Sequence, residues 1–190
     1  MKTKKLLIGI TCLVLMFMLA ACFNNSNDKS TAKDSNVDHE SMGMGDMEHS
    51  GSGEVPEGLK ETENSTYKLG GQATIKANHM EGMNGAEATI VGAYDTIAYA
   101  VTYTPTTGGE PVNNHKWVIQ EEIKDAGNKA LGPGTKVTLE ADHMDGMKGA
   151  TGTIDSAEKT TVYVVDYIPT NGGEKVTNHQ WVTESELSSK

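Results

Sequence analysis

Polar and apolar residues alternate along several short stretches of this chain, and a period of two predicts β-strands. The alternation is clearest at 72–77 and 136–141, where every second residue is apolar. The stretches 96–103 and 160–167 are rich in β-branched and aromatic residues, which favour strands. Shorter strands are predicted at 88–91, 114–118, 152–154 and 178–182. The pattern predicts no long helix here, and it indicates an all-β protein.

This strand pattern occurs twice. Residues 70–123 match residues 134–187 without a gap, at a constant offset of 64 positions (134 − 70 = 64). Two ungapped copies indicate one duplicated small domain, since two units are too few to stack as a solenoid. Several short strands in about 60 residues favour a small curved barrel, because closure removes exposed sheet edges. We therefore predict two tandem SH3-like barrels, repeat 1 at 64–124 and repeat 2 at 125–190.

The connections within each repeat have turn chemistry. Pro-Thr-x-Gly-Gly-Glu occurs at 105–110 and 169–174, and these residue types favour turns. Short polar ends at 120–123 and 184–187 predict one helical turn each. Residues 125–129 are the predicted linker between the repeats.

The first 21 residues have the pattern of a secretory signal peptide. Three lysines are followed by an apolar stretch that is too short for a comfortable transmembrane helix. Leu19-Ala20-Ala21-Cys22 then resembles a bacterial lipobox, which implies cleavage before Cys22 and acylation of its thiol. We expect the acylated Cys22 to anchor the protein in the lipid bilayer, at the extracellular face of the cell membrane. Residues 22–63 have almost nothing apolar to bury and predict a disordered, acidic tether.

Charge and cysteine content exclude several classes of function. The formal charge is −10, and removal of residues 1–21, with three lysines and no acid, leaves 13 − 26 = −13. Such a surface repels nucleic acid, so nucleic-acid binding is excluded, and it attracts cations. Cys12 lies in the signal peptide and Cys22 is acylated, so we expect no disulfide and no thiolate chemistry in the mature chain.

The sequence His-Met-x-Gly-Met-x-Gly-Ala occurs once in each repeat, beginning at residues 79 and 143. It places one imidazole and two thioethers within five positions, on a glycine-containing loop between the first two strands. Imidazole and thioether are ligands that suit copper, and thioethers need no deprotonation. The candidate copper ligands are His79, Met80, Met83, His143, Met144 and Met147.

Packing is an alternative role for these loops. Methionine fills irregular gaps and favours aromatic contacts, so Met80 and Met83 could plug a small barrel against Trp117. His115 and His179 stand two residues before a tryptophan, on the same strand face if the alternation holds. Each is a candidate further ligand, and each could instead be an ordinary half-buried imidazole.

A third group of methionines and histidines lies in the predicted tether. Methionine in a disordered segment has no core to fill, so packing does not explain it. Loose chelation of copper is favoured over a low-complexity spacer. These candidate ligands are His39, Met42, Met44, Met47 and His49.

Together, the lipobox, the Met/His tail and the doubled motifs resemble the YdhK family of Gram-positive lipoproteins. The doubled motifs are His-Met-x-Gly-Met-x-Gly-Ala, Tyr-x-Val-x-Tyr, Pro-Thr-x-Gly-Gly-Glu and Asn-His-x-Trp-Val. Staphylococcal copper-tolerance lipoproteins of the CopL type look like members. The resemblance implies extracytoplasmic copper binding that protects the cell, and the ligand chemistry favours Cu(I) over Cu(II).

We do not expect an enzyme. The chain has no Gly-x-Ser-x-Gly, no His-Glu-x-x-His and no phosphate-binding glycine loop. The alternative function is a metal-free, cell-envelope-binding or structural module of SH3-like type, with Tyr94, Tyr99 or Tyr103 as an exposed contact surface. Calcium or magnesium binding by the acidic surface is a weaker option, because no EF-hand loop occurs. We expect a monomer with no organic cofactor, and a copper exporter or the cell wall is a possible partner.

Overall fold

Two strands of 17 residues, β2 (Glu87–Tyr103) and β5 (Thr151–Tyr167), form the centre of the structure, a computed structural model that describes residues 53–190. The shorter strands are β1 (Gln72–Ile75), β3 (Val112–Ile119), β4 (Lys136–Thr138), β6 (Val176–Thr183) and β7 (Leu187–Ser188). Two 3-10 turns, Gln120–Glu122 and Glu184–Glu186, follow β3 and β6. Within residues 53–190, no helix is long and apolar enough to cross a membrane.

The two long strands pair antiparallel along almost their whole length. At the middle of this ladder Thr96 lies opposite Thr160, its own equivalent 64 residues later (160 − 96 = 64). An antiparallel ladder centred on equivalent residues relates the two repeats by an approximate two-fold axis. The strand order is β4-β5-β2-β1-β7, and β3 and β6 pair with β2 and β5 beyond that path.

Each barrel core takes its strands from both repeats. The first core combines β1 and the first half of β2 with the second half of β5 and with β6. The second core combines β4 and the first half of β5 with the second half of β2 and with β3. Large buried side chains of the first core are Ile75, Met83, Ile90, Tyr163 and Tyr167. Those of the second core are Tyr99, Tyr103, Leu139, Met147 and Ile154. A unit of about 60 residues buries little surface alone, and this exchange supplies each repeat with the missing half of its core.

A third apolar cluster joins the two cores. It contains both tryptophans, Trp117 and Trp181, which are 6% and 0% exposed, together with buried side chains of β2, β3 and β5. Leu59 packs against this cluster, and Thr62 donates a backbone hydrogen bond to Ala93. The folded part of the chain therefore begins before residue 64, earlier than the predicted end of the tether. The reason is that the apolar side chain of Leu59 packs on the third cluster.

The predicted all-β class and small barrels are confirmed. The structure differs from the prediction in the number of strands, because predicted neighbouring strands are continuous. The stretches 88–91 and 96–103, predicted as separate strands, are parts of one strand, as are 152–154 and 160–167. The residues between them stay extended because nearly all of them pair with the other repeat; Gly92, for example, lies opposite Val164.

This exchange makes a direct prediction about fragments. We expect fragments 53–129 and 130–190 to lack cooperative urea unfolding when each is alone and dilute, because each lacks half of every barrel core. Mixing them should restore the far-ultraviolet circular dichroism and tryptophan fluorescence of the intact chain. At high concentration a single repeat should form a homodimer about the same two-fold axis. A fragment that unfolds cooperatively as a monomer would contradict the exchanged cores.

Candidate metal-binding site

The repeated octapeptide forms a tight double turn. In repeat 1, Met83 and Ala86 donate backbone hydrogen bonds to Met80 and Met83, at 3.2 and 3.1 Å. Gly82 has a φ of 73°, and a Cβ added there would lie 2.9 Å from the Cβ of Pro169 in the other repeat. Thr170 also donates its backbone N–H to the carbonyl of Gly82 at 2.8 Å. Each octapeptide therefore docks on the Pro-Thr turn of the opposite repeat, and Gly146 makes the equivalent contact with Thr106.

The four loop methionines divide into two kinds. Met83 and Met147 are fully buried members of the first and second cores. Met80 and Met144 are only partly buried and pack against the edges of those cores. Met83 and Met147 therefore pack in the cores, and Met83 lies in the first core rather than against Trp117, which belongs to the third cluster. Met80 and Met144, which follow the octapeptide histidines directly in sequence, stay partly exposed.

Each octapeptide histidine is bound by a carboxylate of the opposite repeat. His79 Nε2 lies 2.7 Å from Glu186 Oε1, and His143 Nε2 lies 2.7 Å from Glu122 Oε1. The second oxygen of Glu186 accepts the indole N–H of Trp117 at 2.8 Å. Glu122 accepts the indole N–H of Trp181 at 3.1 Å in the same way. The 3-10 turns that follow β3 and β6 thus fix both histidines.

This pairing determines which histidine nitrogen is available to a ligand. A carboxylate only accepts hydrogen bonds, so Nε2 carries a proton, and Nδ1 keeps its lone pair whenever the ring is neutral. The Nδ1 atoms of His79 and His143 are buried and have no hydrogen-bond partner. Burial alone raises the pKa of Glu186, but its bonds from His79, Thr183 and Trp117, with the charge of His79, bring that pKa to about 2. Glu186 is therefore ionised at neutral pH.

His115 adds a third imidazole to this region. Its ring centre is 6.1 Å from that of His143 and 6.0 Å from that of Tyr103, and its Nε2 is buried without a partner. Burial, followed by the charges of His143 and His79, lowers the pKa of His115 to about 4. His115 is thus neutral at pH 7 and retains a lone pair, and His79 lies close enough to influence it.

His115 does not share a strand face with Trp117 as the alternation predicted. The register of β3 against β2 shifts between the pairs Tyr99–Val118 and Val101–His115, so three steps on β3 match two on β2. Trp117 therefore packs in the central cluster, while His115 faces Tyr103 of the second core.

A tyrosine hydroxyl contacts the methionine sulfur in one of the two halves, whereas the equivalent hydroxyl of Tyr167 is buried without a hydrogen-bond partner. Tyr103 Oη donates to the sulfur of Met144 at 3.8 Å. In the other half His179 is buried and stands edge-on to Tyr167, with ring centres 5.8 Å apart. We call His115, His143, Met144 and Tyr103 cluster B. Its equivalents 64 positions away, His179, His79, Met80 and Tyr167, form cluster A.

Sequence reasoning missed the carboxylates and tyrosines of these clusters. Helical turns were predicted at 120–123 and 184–187, but the sequence did not show that these turns direct Glu122 and Glu186 inward. Their identity in both repeats, five residues after each tryptophan, was the available signal. Within residues 53–190, no three His, Cys, Asp or Glu side chains are arranged to hold a metal ion. Cys22 and the predicted tail ligands His39, Met42, Met44, Met47 and His49 lie outside the described residues.

Comparison with known proteins places the chain in a family. The model for "Protein of unknown function (DUF1541)" matches twice, at residues 69–120 and 133–184. The chain belongs to the DUF1541 family. It is 60% identical over 190 residues to the uncharacterized protein YdhK of Bacillus subtilis (strain 168), covering all of this chain and 92% of that one. Each of the two family matches lies within one of the two repeats.

Solved structures of this relative have the same fold. A crystal structure of the DUF1541 family protein YdhK from B. subtilis is 68% identical and has a TM-score of 0.73, covering 75% of this chain and 97% of that one. A solution NMR structure of the YdhK C-terminal domain is 69% identical with a TM-score of 0.62, covering 65% and 93% of the two chains. The recognition of the YdhK family from the doubled motifs is confirmed.

The burial of His115 predicts an acid-sensitive stability in the metal-free protein. Its pKa is about 4 in the folded state and 6.5 ordinarily, so the unfolded state binds the extra proton between these values. The contribution of His115 to the free energy of unfolding should be complete above pH 6.5 and should fall as the pH decreases to 4. The slope from this group is at most about 1.4 kcal/mol per pH unit. Urea unfolding at several pH values measures this change in the free energy of unfolding.

His115→Gln should flatten this part of the profile. The contribution of Glu186 should persist in that variant, because its lowered pKa places its loss between about pH 4.5 and 2. An unchanged slope between pH 6.5 and 4 in His115→Gln would show that His115 is not the group responsible.

Proposed function

We propose that this DUF1541-family protein is a lipid-anchored, extracytoplasmic copper-binding protein that sequesters or buffers copper and so contributes to copper tolerance. The observation that carries the proposal is a set of buried imidazole nitrogens without partners, on His79, His115 and His143. A thioether follows each octapeptide histidine directly, at Met80 and Met144. The proposed activity is binding, without catalysis.

The ligand set favours Cu(I) over harder cations. Cu(I) accepts soft thioethers and imidazoles and does not require many ligands, whereas calcium and magnesium require six or more oxygens. The lack of a three-residue His/carboxylate group in residues 53–190 argues against a conventional zinc site in this region.

The carboxylates add a feature that is common among metal-binding histidines. Such histidines usually donate their second ring N–H to a carboxylate, which fixes the tautomer and raises the basicity of the ligating nitrogen. Glu186 and Glu122 occupy this position toward His79 and His143. A histidine that served only packing would not need a buried carboxylate from another repeat, whose desolvation is costly.

The predicted lipid anchor and tail have separate roles in the proposed function. We propose that acylated Cys22 holds the protein in the bilayer, and that the tail captures copper by loose chelation before the folded region binds it more selectively. A copper exporter or the cell wall is the proposed partner environment, and the proposed state is a monomer.

The tyrosine surface that the cell-envelope alternative requires is buried in the structure. Tyr94, Tyr99 and Tyr103 are 9%, 0% and 2% exposed, so none can form the exposed aromatic contact that this alternative required. They are buried because the long central strands carry them into the cores. Metal-free pull-down on purified peptidoglycan still separates the alternatives, since retention without any copper affinity would favour the envelope module.

Methionine substitutions test copper binding in the loops. We expect Met80→Leu with Met144→Leu to weaken Cu(I) binding. Met83→Leu with Met147→Leu should leave it unchanged, because Met83 and Met147 are fully buried in the cores. Met-to-Leu changes conserve volume, so both variants should stay folded. The measurement is Cu(I) titration of the soluble mature chain against a competing chelator.

These titrations need a background without tail ligands. We define the tail-silent chain by Met→Leu at 42, 44 and 47 and His→Asn at 39 and 49. Equal weakening by the two methionine pairs would contradict the division into ligands and plugs. The absence of Cu(I) binding in the tail-silent chain would remove the folded region from the function.

Cys22 provides a separate test of the anchor. In a Gram-positive host we expect the wild-type protein in the membrane fraction and carrying a metabolically incorporated acyl label. Cys22→Ala should lose the label and leave the membrane fraction, because it removes the only thiol of the predicted mature chain. Retention of Cys22→Ala in membranes without a label would contradict lipid anchoring through this residue.

A further inference from the structure

Cluster B brings together one histidine from each repeat, with the ring centres of His115 and His143 6.1 Å apart. Cluster B contains His143 and Met144 from repeat 2, with His115 and Tyr103 from repeat 1. The exchange of strands between the cores produces this arrangement, because the second half of β2 and β3 complete the barrel that holds the octapeptide of repeat 2.

We propose that each copper ion is held between the two repeats, with His143 and Met144 of repeat 2 and His115 of repeat 1 as the ligands of one ion. The two-fold axis assigns His79, Met80 and His179 to a second ion. This inference rests on the proposed copper function and deepens it, because it names a composite site that neither repeat contains alone.

The distance between the imidazoles fits a shared ion. Metal–imidazole bonds are about 2 Å long and the ring centre lies about 1.1 Å behind the nitrogen, so two rings on one ion have centres roughly 5 to 6.3 Å apart. The rings of His115 and His143 have centres 6.1 Å apart, near the open-angle end of that range. An open angle suits Cu(I), which binds with few ligands and without a strict geometry.

The atoms required for this site are the ones left without partners. His115 Nε2 and His143 Nδ1 are both buried and make no hydrogen bond, which is costly unless another group binds them. His143 Nε2 is already occupied by Glu122, so only Nδ1 remains for an ion. Met144 is positioned by the hydroxyl of Tyr103 from the opposite repeat, which directs its sulfur toward the same region.

Repeat 1 contacts the octapeptide of repeat 2 through two different side chains. Glu122 reaches from repeat 1 to His143, and His115 reaches from the same repeat. A bound ion would therefore link two segments that are already joined by the carboxylate. Copper should stabilise the association of the repeats as well as the loop that carries Met144.

A double-mutant cycle on the tail-silent mature chain tests the inference. Cu(I) titration against a competing chelator should give two tightly bound ions in the parent. His115→Asn and His143→Asn should each reduce this number to one, and the double variant should also bind one, because both residues serve the same ion. Met147→Leu is the matched control, expected to keep two ions, since its side chain is buried in the second core.

Nitrogen-15 NMR of the unsubstituted histidines with Ag(I), a redox-inert analogue of Cu(I), avoids the risk that a variant unfolds. We expect the signals of His115 Nε2 and His143 Nδ1 to shift together during the titration, because one ion binds both atoms. Tight binding in the parent with no shift at His115, or two ions retained by His115→Asn, would overturn the composite site and leave the proposed function standing. No tight ion in the parent would overturn the composite site and would remove the folded region from the proposed function.

Discussion

The antiparallel pairing of β2 with β5 is the interaction on which the rest of the structure depends. Because the ladder is centred on Thr96 and Thr160, the first half of each strand lies in one barrel and the second half in the other. The first and second cores, the tryptophan cluster and the docking of each octapeptide on the opposite repeat all follow from this register. A shift of one residue would turn the buried faces of both strands to solvent.

Much of this fold could be predicted from the sequence, and the exchange of strands could not. The period-two alternation located every long strand, the offset of 64 residues identified the duplication, and the turn motifs marked the connections. Alternation shows which face of a strand is buried, but it does not identify the partner strand. The residues around Gly92 were interpreted as a break, although pairing with β5 keeps them extended.

The histidine–methionine region was located from sequence, whereas the roles of its residues depend on packing. The spacing of Met80 and Met83 is the same in both octapeptides, yet the double turn carries one to the core edge and the other inside. Glu186 received no role because a predicted helical turn at 184–187 does not show which way its side chain faces. The 3-10 turn brings it against His79 and Trp117. Local geometry of this kind depends on contacts that are distant in sequence.

The central claim is that copper is bound by imidazole and thioether together, at the boundary between the repeats. X-ray absorption spectroscopy of the Cu(I)-loaded, tail-silent protein tests it most directly, because nitrogen and sulfur scatter differently. Our account predicts both copper–nitrogen contacts at about 2.0 Å and a copper–sulfur contact at about 2.3 Å on the same ion. A spectrum with nitrogen or oxygen alone, or with sulfur alone, would contradict it.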